Sequence, residues 1–223
     1  MRALLPCLVL FSLGVSGVAS GDDDNQRIAL PRAETAGEMP VERALEQRRS
    51  VRDIARGGLS LEHVGQLLWA AQGITHRKGY RTAPSAGALY PLEVYLVVGK
   101  VDALSPGVYR YSPKRHDLIS VASGDRRRAL AAAALGQDWV RRGSAVLVIA
   151  GIYERSSKKY GRRAQRYTHI EVGNVAQNVY LQATALGLGT VLVGAFHDAE
   201  VQEALDLPAD HEPLGLMPIG RVR

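Results

Sequence analysis

Between residues 167 and 196 the chain reads YTHIEVGNVAQNVYLQATALGLGTVLVGAF, and this stretch constrains the fold more than any other. Val172, Val175, Ala176, Val179, Ala183 and Leu186 recur at helical spacing, so they form one sustained apolar stripe on a long helix. The hinge Gly187-Leu188-Gly189 then permits a tight turn into residues 190–195, an apolar run that predicts a buried strand. A helix with such a stripe must bury it against another layer.

The remaining segments supply that layer. Residues 40–48 predict a short helix with Val41, Ala44 and Leu45 on one face. Ser60 is a good N-cap for the next helix, with His63 at the position where a capping box closes; Gly73 ends that helix. Residues 81–91 read as loop and 92–99 as a strand. Residues 107–111 and 117–121 flank a turn at Pro113-Lys114 and predict a hairpin. Residues 125–135 form an alanine-rich helix. The unbroken apolar run at 145–152 predicts a central strand covered on both faces. Asp198 caps a short helix ending near Leu205, and residues 214–222 form a last strand. The hairpin argues against a purely parallel sheet, so the expected class is α+β, a mostly antiparallel central sheet flanked by helices.

Residues 1–20 stand apart. Arg2 precedes an apolar run interrupted by Pro6, Cys7 and Ser12, and Val18-Ala19-Ser20 offers small residues for cleavage before Gly21. This predicts a signal peptide and an exported protein, the run being too short to span a bilayer comfortably. Residues 21–39, acidic at Asp22-Asp23-Asp24 and punctuated by Pro31 and Gly37, read as a leader or linker with little fixed structure; one domain follows over 40–223. Cleavage would remove Cys7, the single cysteine, and with it any thiolate nucleophile or thiolate metal site. The formal charge of +6 would become +5, because Arg2 is the one charged residue removed. Basic clusters at 126–128, 141–142 and 155–166 read as solvated faces and loops. No aromatic platform or zinc-finger spacing accompanies them, so nucleic acid is not the expected partner.

Three segments could carry chemistry. In the extended chain after the first helix, Arg48, Ser50 and Arg52 alternate, so two guanidinium forks and a hydroxyl can face one phosphate or polar ring. The small residues of APSAGALYP, 83–91, allow backbone to approach a flat ligand closely. Gly194 and Ala195 leave their backbone N–H groups free to meet a ring edge. His169 reads as a capping or surface histidine, and Glu171 as a group that packs or pairs rather than acting as a base.

Together these motifs, in this order, resemble the nitroreductase superfamily of FMN-dependent oxidoreductases, in particular its SagB-type dehydrogenase branch. The resemblance rests on R-x-S-x-R, on PSAGALYPLEVYLV, and on the Tyr-x-x-Ile-Glu-x-Gly-x-x-x-Gln-Asn-x-Tyr-Leu-x-Ala helix followed by GLG. It covers residues 40–221. It implies a nitroreductase-like sandwich, a homodimer with FMN at the subunit interface, a small-molecule substrate, and NAD(P)H as a candidate electron donor. It further implies that Arg48 holds the FMN phosphate and that Ser50 binds the phosphate or ribityl chain. Arg52 would sit by the pyrimidine edge. Pro84, Ser85, Ala86 and Gly87 would approach from the partner subunit. Val193, Gly194 and Ala195 would line the ring through backbone, and Arg221 or Arg223 would add a further grip on the phosphate. Azoline-oxidising members of the SagB branch use a Lys-Tyr pair beside the flavin, and Lys159-Tyr160 falls in a similar place, in what reads as a basic loop. The alternatives to a nitroreductase-like activity are oxidation of a peptide-derived azoline-like ring, or flavin binding without catalysis.

Overall fold

A computed structural model describes residues 27–55 and 57–223. The expected signal peptide, residues 1–20, lies outside them. Among the described residues, seven strands form one sheet, antiparallel throughout its ladders: β1 (Arg27–Ala29), β2 (Leu92–Val98), β3 (Gly107–Ser112), β4 (Asp117–Ser123), β5 (Ala145–Gly151), β6 (Leu188–Thr190) and β7 (Glu212–Arg221), in the order β1-β4-β3-β2-β5-β7-β6. The helices are α1 (Val41–Gln47), α2 (Leu61–Gln72), α3 (Arg127–Ala133), α4 (Asp138–Arg142), α5 (Glu154–Tyr160), α6 (Arg163–Ala185) and α7 (Asp198–Leu205). This is the α+β class that the sequence predicts.

Every residue of β5 is buried, because the strand is central and helices cover both faces. Its side chains alternate between two cores. Ala145, Leu147 and Ile149 join Val64, Leu67 and Leu68 of α2 and the α6 stripe Val172, Val175, Ala176, Val179 and Ala183. Val146, Val148 and Ala150 join Leu130 of α3, Val140 of α4, and Val201 and Leu205 of α7 on the opposite face. The capping box forms: the Ser60 hydroxyl accepts the His63 N–H, and the His63 ring accepts the Ser60 N–H. No helix among the described residues is long and apolar enough to cross a membrane.

The structure departs from the sequence expectation in five places. Asp198 is the first residue of α7 and not its cap; the N-cap position is held by His197, whose side chain makes no capping bond. Residues 27–39 are ordered, although their composition suggests a linker. β1 pairs with β4, the Arg27 guanidinium reaches both carboxylate oxygens of Asp117 at 3.1 Å, and the buried Gln66 amide bonds the Glu34 backbone in both directions. The basic loop expected over 155–166 is instead α5 and the first turn of α6, divided by Gly161 at φ +53°. α4 carries no periodicity long enough to announce it. Finally, the strand expected over 190–195 is displaced: the ladder of β6 ends at Thr190, and beyond it Val193 forms an isolated bridge to Leu216. The cause is the Leu192 N–H, which bonds the Tyr180 hydroxyl at 2.7 Å and so leaves the sheet.

One buried pair makes stability depend on pH. Tyr95 and His211, both nearly inaccessible, meet at 2.6 Å between the Tyr95 hydroxyl and His211 Nδ1. Burial pushes the His211 pKa below its ordinary value near 6.5, while Asp210 and Glu93 pull the other way. The unfolded chain therefore binds the proton more readily than the folded chain. The stability due to neutral His211 is fully present above the unfolded pKa and is lost as pH falls below it. Denaturation midpoints are expected to fall between about pH 7 and about pH 5, and His211→Gln is expected to flatten that slope. A slope identical in the two proteins would contradict this account.

Candidate functional site

Arg48, Ser50 and Arg52 lie in extended chain that leaves α1 and runs beside β6. The Val51 N–H donates to the Thr190 carbonyl at 2.9 Å. The Val51 side chain turns onto Gly189, where a Cβ would lie 2.6 Å from Val51 Cγ1; glycine is required by this close approach. Ser50 and Arg52 are exposed on the side away from that contact. The Ser50 hydroxyl is 3.1 Å from the Tyr180 hydroxyl, and the Arg48 guanidinium lies 5.1 Å from the centroid of the Tyr180 ring. Arg52 lies 5.7 Å over the Trp139 ring of α4. Among the described residues neither Arg48 nor Arg52 pairs with a carboxylate, so both keep their full charge for a ligand.

Loop 83–91 holds an improbable backbone. Gly87, Ala88 and Tyr90 all have positive φ, at +63°, +53° and +49°. For the two non-glycine residues this costs about 1–3 kcal/mol each unless the surroundings impose it. They do. The Ala86 N–H donates to Glu171 Oε1 at 2.9 Å, the Tyr90 N–H donates to the Ser85 hydroxyl at 2.9 Å, and the Arg81 guanidinium stacks 4.3 Å from the Tyr90 ring centroid. Glu171 is buried on α6, and burial raises its pKa against the opposing pull of the Ala86 N–H, the Ser85 hydroxyl and Arg81. Pro84, Gly87 and Ala88 remain exposed.

Lys159 and Tyr160, at the end of α5, meet this loop. A Cβ on Gly87 would stand 2.7 Å from the Tyr160 hydroxyl and 2.8 Å from Lys159 Nζ. The Lys159 ammonium lies 5.5 Å from the Tyr160 ring centroid, and Tyr160 packs edge-on against Tyr167 at 5.0 Å. His169 is exposed and bonded to the Tyr153 hydroxyl at 2.9 Å.

Both clusters hang on α6, one from Glu171 and one from Tyr180. Nine helical positions separate those residues, about 13–14 Å along the axis. Near the Tyr180 end, Val193 is buried and bridged to Leu216, whereas Gly194 and Ala195 are exposed. The Ala195 carbonyl accepts from Gln137 Nε2 at 2.8 Å. Of the two C-terminal candidates, Arg223 is paired with Asp53 at 3.2 Å. Arg221 lies with its aliphatic stem 3.5 Å from a Cβ position on Gly57, and no carboxylate among the described residues engages it.

Three residues here escape motif reading. Tyr180 belongs to the recognised helix motif, but its bond to Leu192 depends on the fold. Trp139 sits on the unannounced α4, and Gln137 is the N-cap residue just before it. Trp139 Nε1 and Thr190 Oγ1 are buried and have no hydrogen-bond partner among the described residues. Unpaired guanidiniums, bare exposed glycines and orphaned polar atoms suit a flat ring carrying an anionic arm, as in a flavin mononucleotide. Among the described residues no group of His, Cys, Asp and Glu is arranged to hold a metal ion.

The profile described as the Nitroreductase family matches residues 45–221. A candidate nitroreductase of Methanocaldococcus jannaschii is 47% identical over 198 residues, covering 89% of this chain and 98% of that protein. The crystal structure of a candidate nitroreductase from Ralstonia eutropha JMP134 is similar at TM-score 0.78 and 30% identity, covering 91% of this chain and 92% of that one. A chain of the Escherichia coli microcin synthetase McbBCD complex, with truncated pro-MccB17 bound, is similar at TM-score 0.68 and 26% identity, covering 97% of this chain and 79% of that one.

The Glu171 bond is directly testable. Glu171→Leu leaves the Ala86 N–H without an acceptor and is expected to cost about 1–3 kcal/mol in chemical denaturation. Glu171→Gln keeps an acceptor oxygen and is expected to cost less. Equal losses would show that the bond does not hold the loop.

Proposed function

The chain belongs to the nitroreductase family, and from that premise we propose that it passes electrons between FMN, bound at a homodimer interface, and a small organic substrate. It is an oxidoreductase on the SagB-like side of the superfamily. The observation that carries the FMN reading is the pair of guanidiniums, Arg48 over the Tyr180 ring and Arg52 over the Trp139 ring, which pair with no carboxylate among the described residues, together with the Ser50 hydroxyl 3.1 Å from the Tyr180 hydroxyl.

FMN, when bound, supplies reversible two-electron chemistry. The chain's residues then have defined tasks. Arg48, Ser50 and Arg221 bind the phosphate arm. Arg52 offsets negative charge at the pyrimidine edge, which favours the reduced state and raises the reduction potential. The strained loop 83–91 brings small residues to the ring from the partner subunit. The dimer is supported by a groove of about 1160 Å³ bordered by α1, α2 and α6, with Val41 and Leu45 of α1 55% and 52% exposed. Exposed apolar side chains on one helix face suit burial against a second copy. NADH or NADPH is the proposed electron donor.

A second reading, oxidation of an azoline-like ring, is favoured by the placement of Lys159 and Tyr160 against Gly87. In it, Tyr160 or Lys159 removes the ring proton. The similar chain in the microcin synthetase complex supports this reading.

The purified chain is expected to carry FMN, identified by absorbance and mass, and to elute as a dimer. Arg48→Ala is expected to weaken FMN binding about tenfold or more, since a charge-assisted hydrogen bond contributes about 1.5–3 kcal/mol. A chain that neither co-purifies with FMN nor binds added FMN overturns the proposal. Lys159→Ala and Tyr160→Phe separate the two readings. Under azoline oxidation both are expected to abolish anaerobic flavin reduction by a thiazoline-containing peptide, while reduction by dithionite continues. Unchanged peptide oxidation would remove the pair from the chemistry.

A further inference from the structure

We propose that α4 and its N-cap residue form a positioning element of the cofactor site: Trp139 holds the Arg52 guanidinium and Gln137 holds the Gly194-Ala195 backbone, so that cation and N–H donors address one ring together. The inference rests on the FMN reading above and goes beyond it, because no family motif of this chain includes α4.

The backbone side of the argument is a hydrogen-bond account. Val193 is fixed by two bonds to Leu216, at 2.8 Å through its N–H and 3.0 Å through its carbonyl. Two residues on, the Ala195 carbonyl is fixed by Gln137 Nε2 at 2.8 Å, and the same nitrogen donates to the Ala134 carbonyl at 2.9 Å. Between these anchors lie the N–H groups of Gly194 and Ala195. Both residues are exposed, and neither N–H has a protein partner among the described residues. Gly194 faces open space, with no atom within 4 Å of where a Cβ would stand. Two adjacent free donors, clamped on both flanks, are pre-set for an acceptor edge. Without Gln137 the second flank is loose.

The cationic side is a matter of what touches Arg52. An aromatic face 5.7 Å away attracts the guanidinium without neutralising it, whereas a carboxylate would consume its charge. Trp139 is thus a platform that leaves the donors of Arg52 free. Its own Nε1 is buried and has no partner among the described residues. α4 cannot drift, because Val140 is wholly buried in the second core and Arg127 donates to the Gly143 carbonyl just past the helix. Core packing accounts for Val140. It does not account for the two side chains before it, 137 and 139, of which one bonds the Ala195 carbonyl and the other lies under the Arg52 guanidinium.

The test is a reduction-potential titration of the FMN-loaded chain, with FMN affinity measured alongside. Trp139→Leu is expected to weaken binding of reduced FMN about tenfold more than oxidised FMN, which lowers the midpoint potential by about 30 mV for a two-electron couple. Trp139→Phe keeps an aromatic face and is expected to restore most of the potential. Trp139→Leu placed in an Arg52→Met background is expected to add no further shift, because the platform then has nothing to hold. Gln137→Met keeps the side-chain size, loses the donor, and is expected to lower the potential in the same direction while Arg52→Met adds its own shift. Melting curves of the apo forms identify any variant that has lost its fold, and the Phe and Met variants carry the test in that case. Potentials unchanged in Trp139→Leu and Gln137→Met, or an equal shift of Trp139→Leu with and without Arg52, overturn the inference while the FMN reading stands. A wild-type chain that binds no FMN overturns both.

Discussion

The Tyr180 hydroxyl decides where regular structure ends and the site begins. By accepting the Leu192 N–H at 2.7 Å it draws the chain out of the ladder directly after β6, and it holds the Ser50 hydroxyl at 3.1 Å. A backbone N–H withdrawn from a sheet needs another partner, and here the phenol is that partner. The consequence is that Gly194 and Ala195 stand exposed beyond β6, and among the described residues their N–H groups have no partner, instead of being spent on a neighbouring strand. The Arg48 guanidinium stacks on the same ring, so one side chain organises the ionic grip and the backbone donors.

α6 works in this way twice. Toward its N-terminal half the buried Glu171 fixes loop 83–91 in a strained conformation; toward its C-terminal half Tyr180 fixes the chain after β6. The helix can serve as a mount because its other face is rigid. Val172, Val175, Ala176, Val179 and Ala183 are packed against β5 and α2, and a close-packed face leaves little freedom for the polar residues beside it. The side chains that hold the two candidate clusters lie adjacent to the apolar stripe, not in the stripe itself.

What is legible in the sequence is what depends on neighbours in the chain. The Ser60–His63 box, the β3–β4 hairpin, the unbroken run of β5 and the stripe of α6 all arise from residues a few positions apart. What is not legible depends on distant partners. β1 exists because Asp117 and the β4 edge receive it, and the Glu34 region is held by Gln66. α5 and α6 begin without a side-chain cap, so no Ser, Asp or Thr marks their starts inside the basic stretch. α4 is five residues long, too short for any period to show. Within the site, R-x-S-x-R and PSAGALYP are readable as motifs, whereas the stacking of Arg52 on Trp139 and the bond of Gln137 to Ala195 join segments that only the fold brings together.

The sheet margin at β6 has a bearing on how copies of this chain can associate. β6 is three residues long, and its outer side already engages the Val51 N–H through Thr190. A margin this short and already engaged offers little template for an incoming strand, so growth of the sheet across it from one molecule into the next is disfavoured. Two copies that meet on this side do so with no ladder bonds shared. Subunits joined that way can part and rejoin without either one opening its sheet, and the β6 margin resists the edge-to-edge stacking that leads to fibrils.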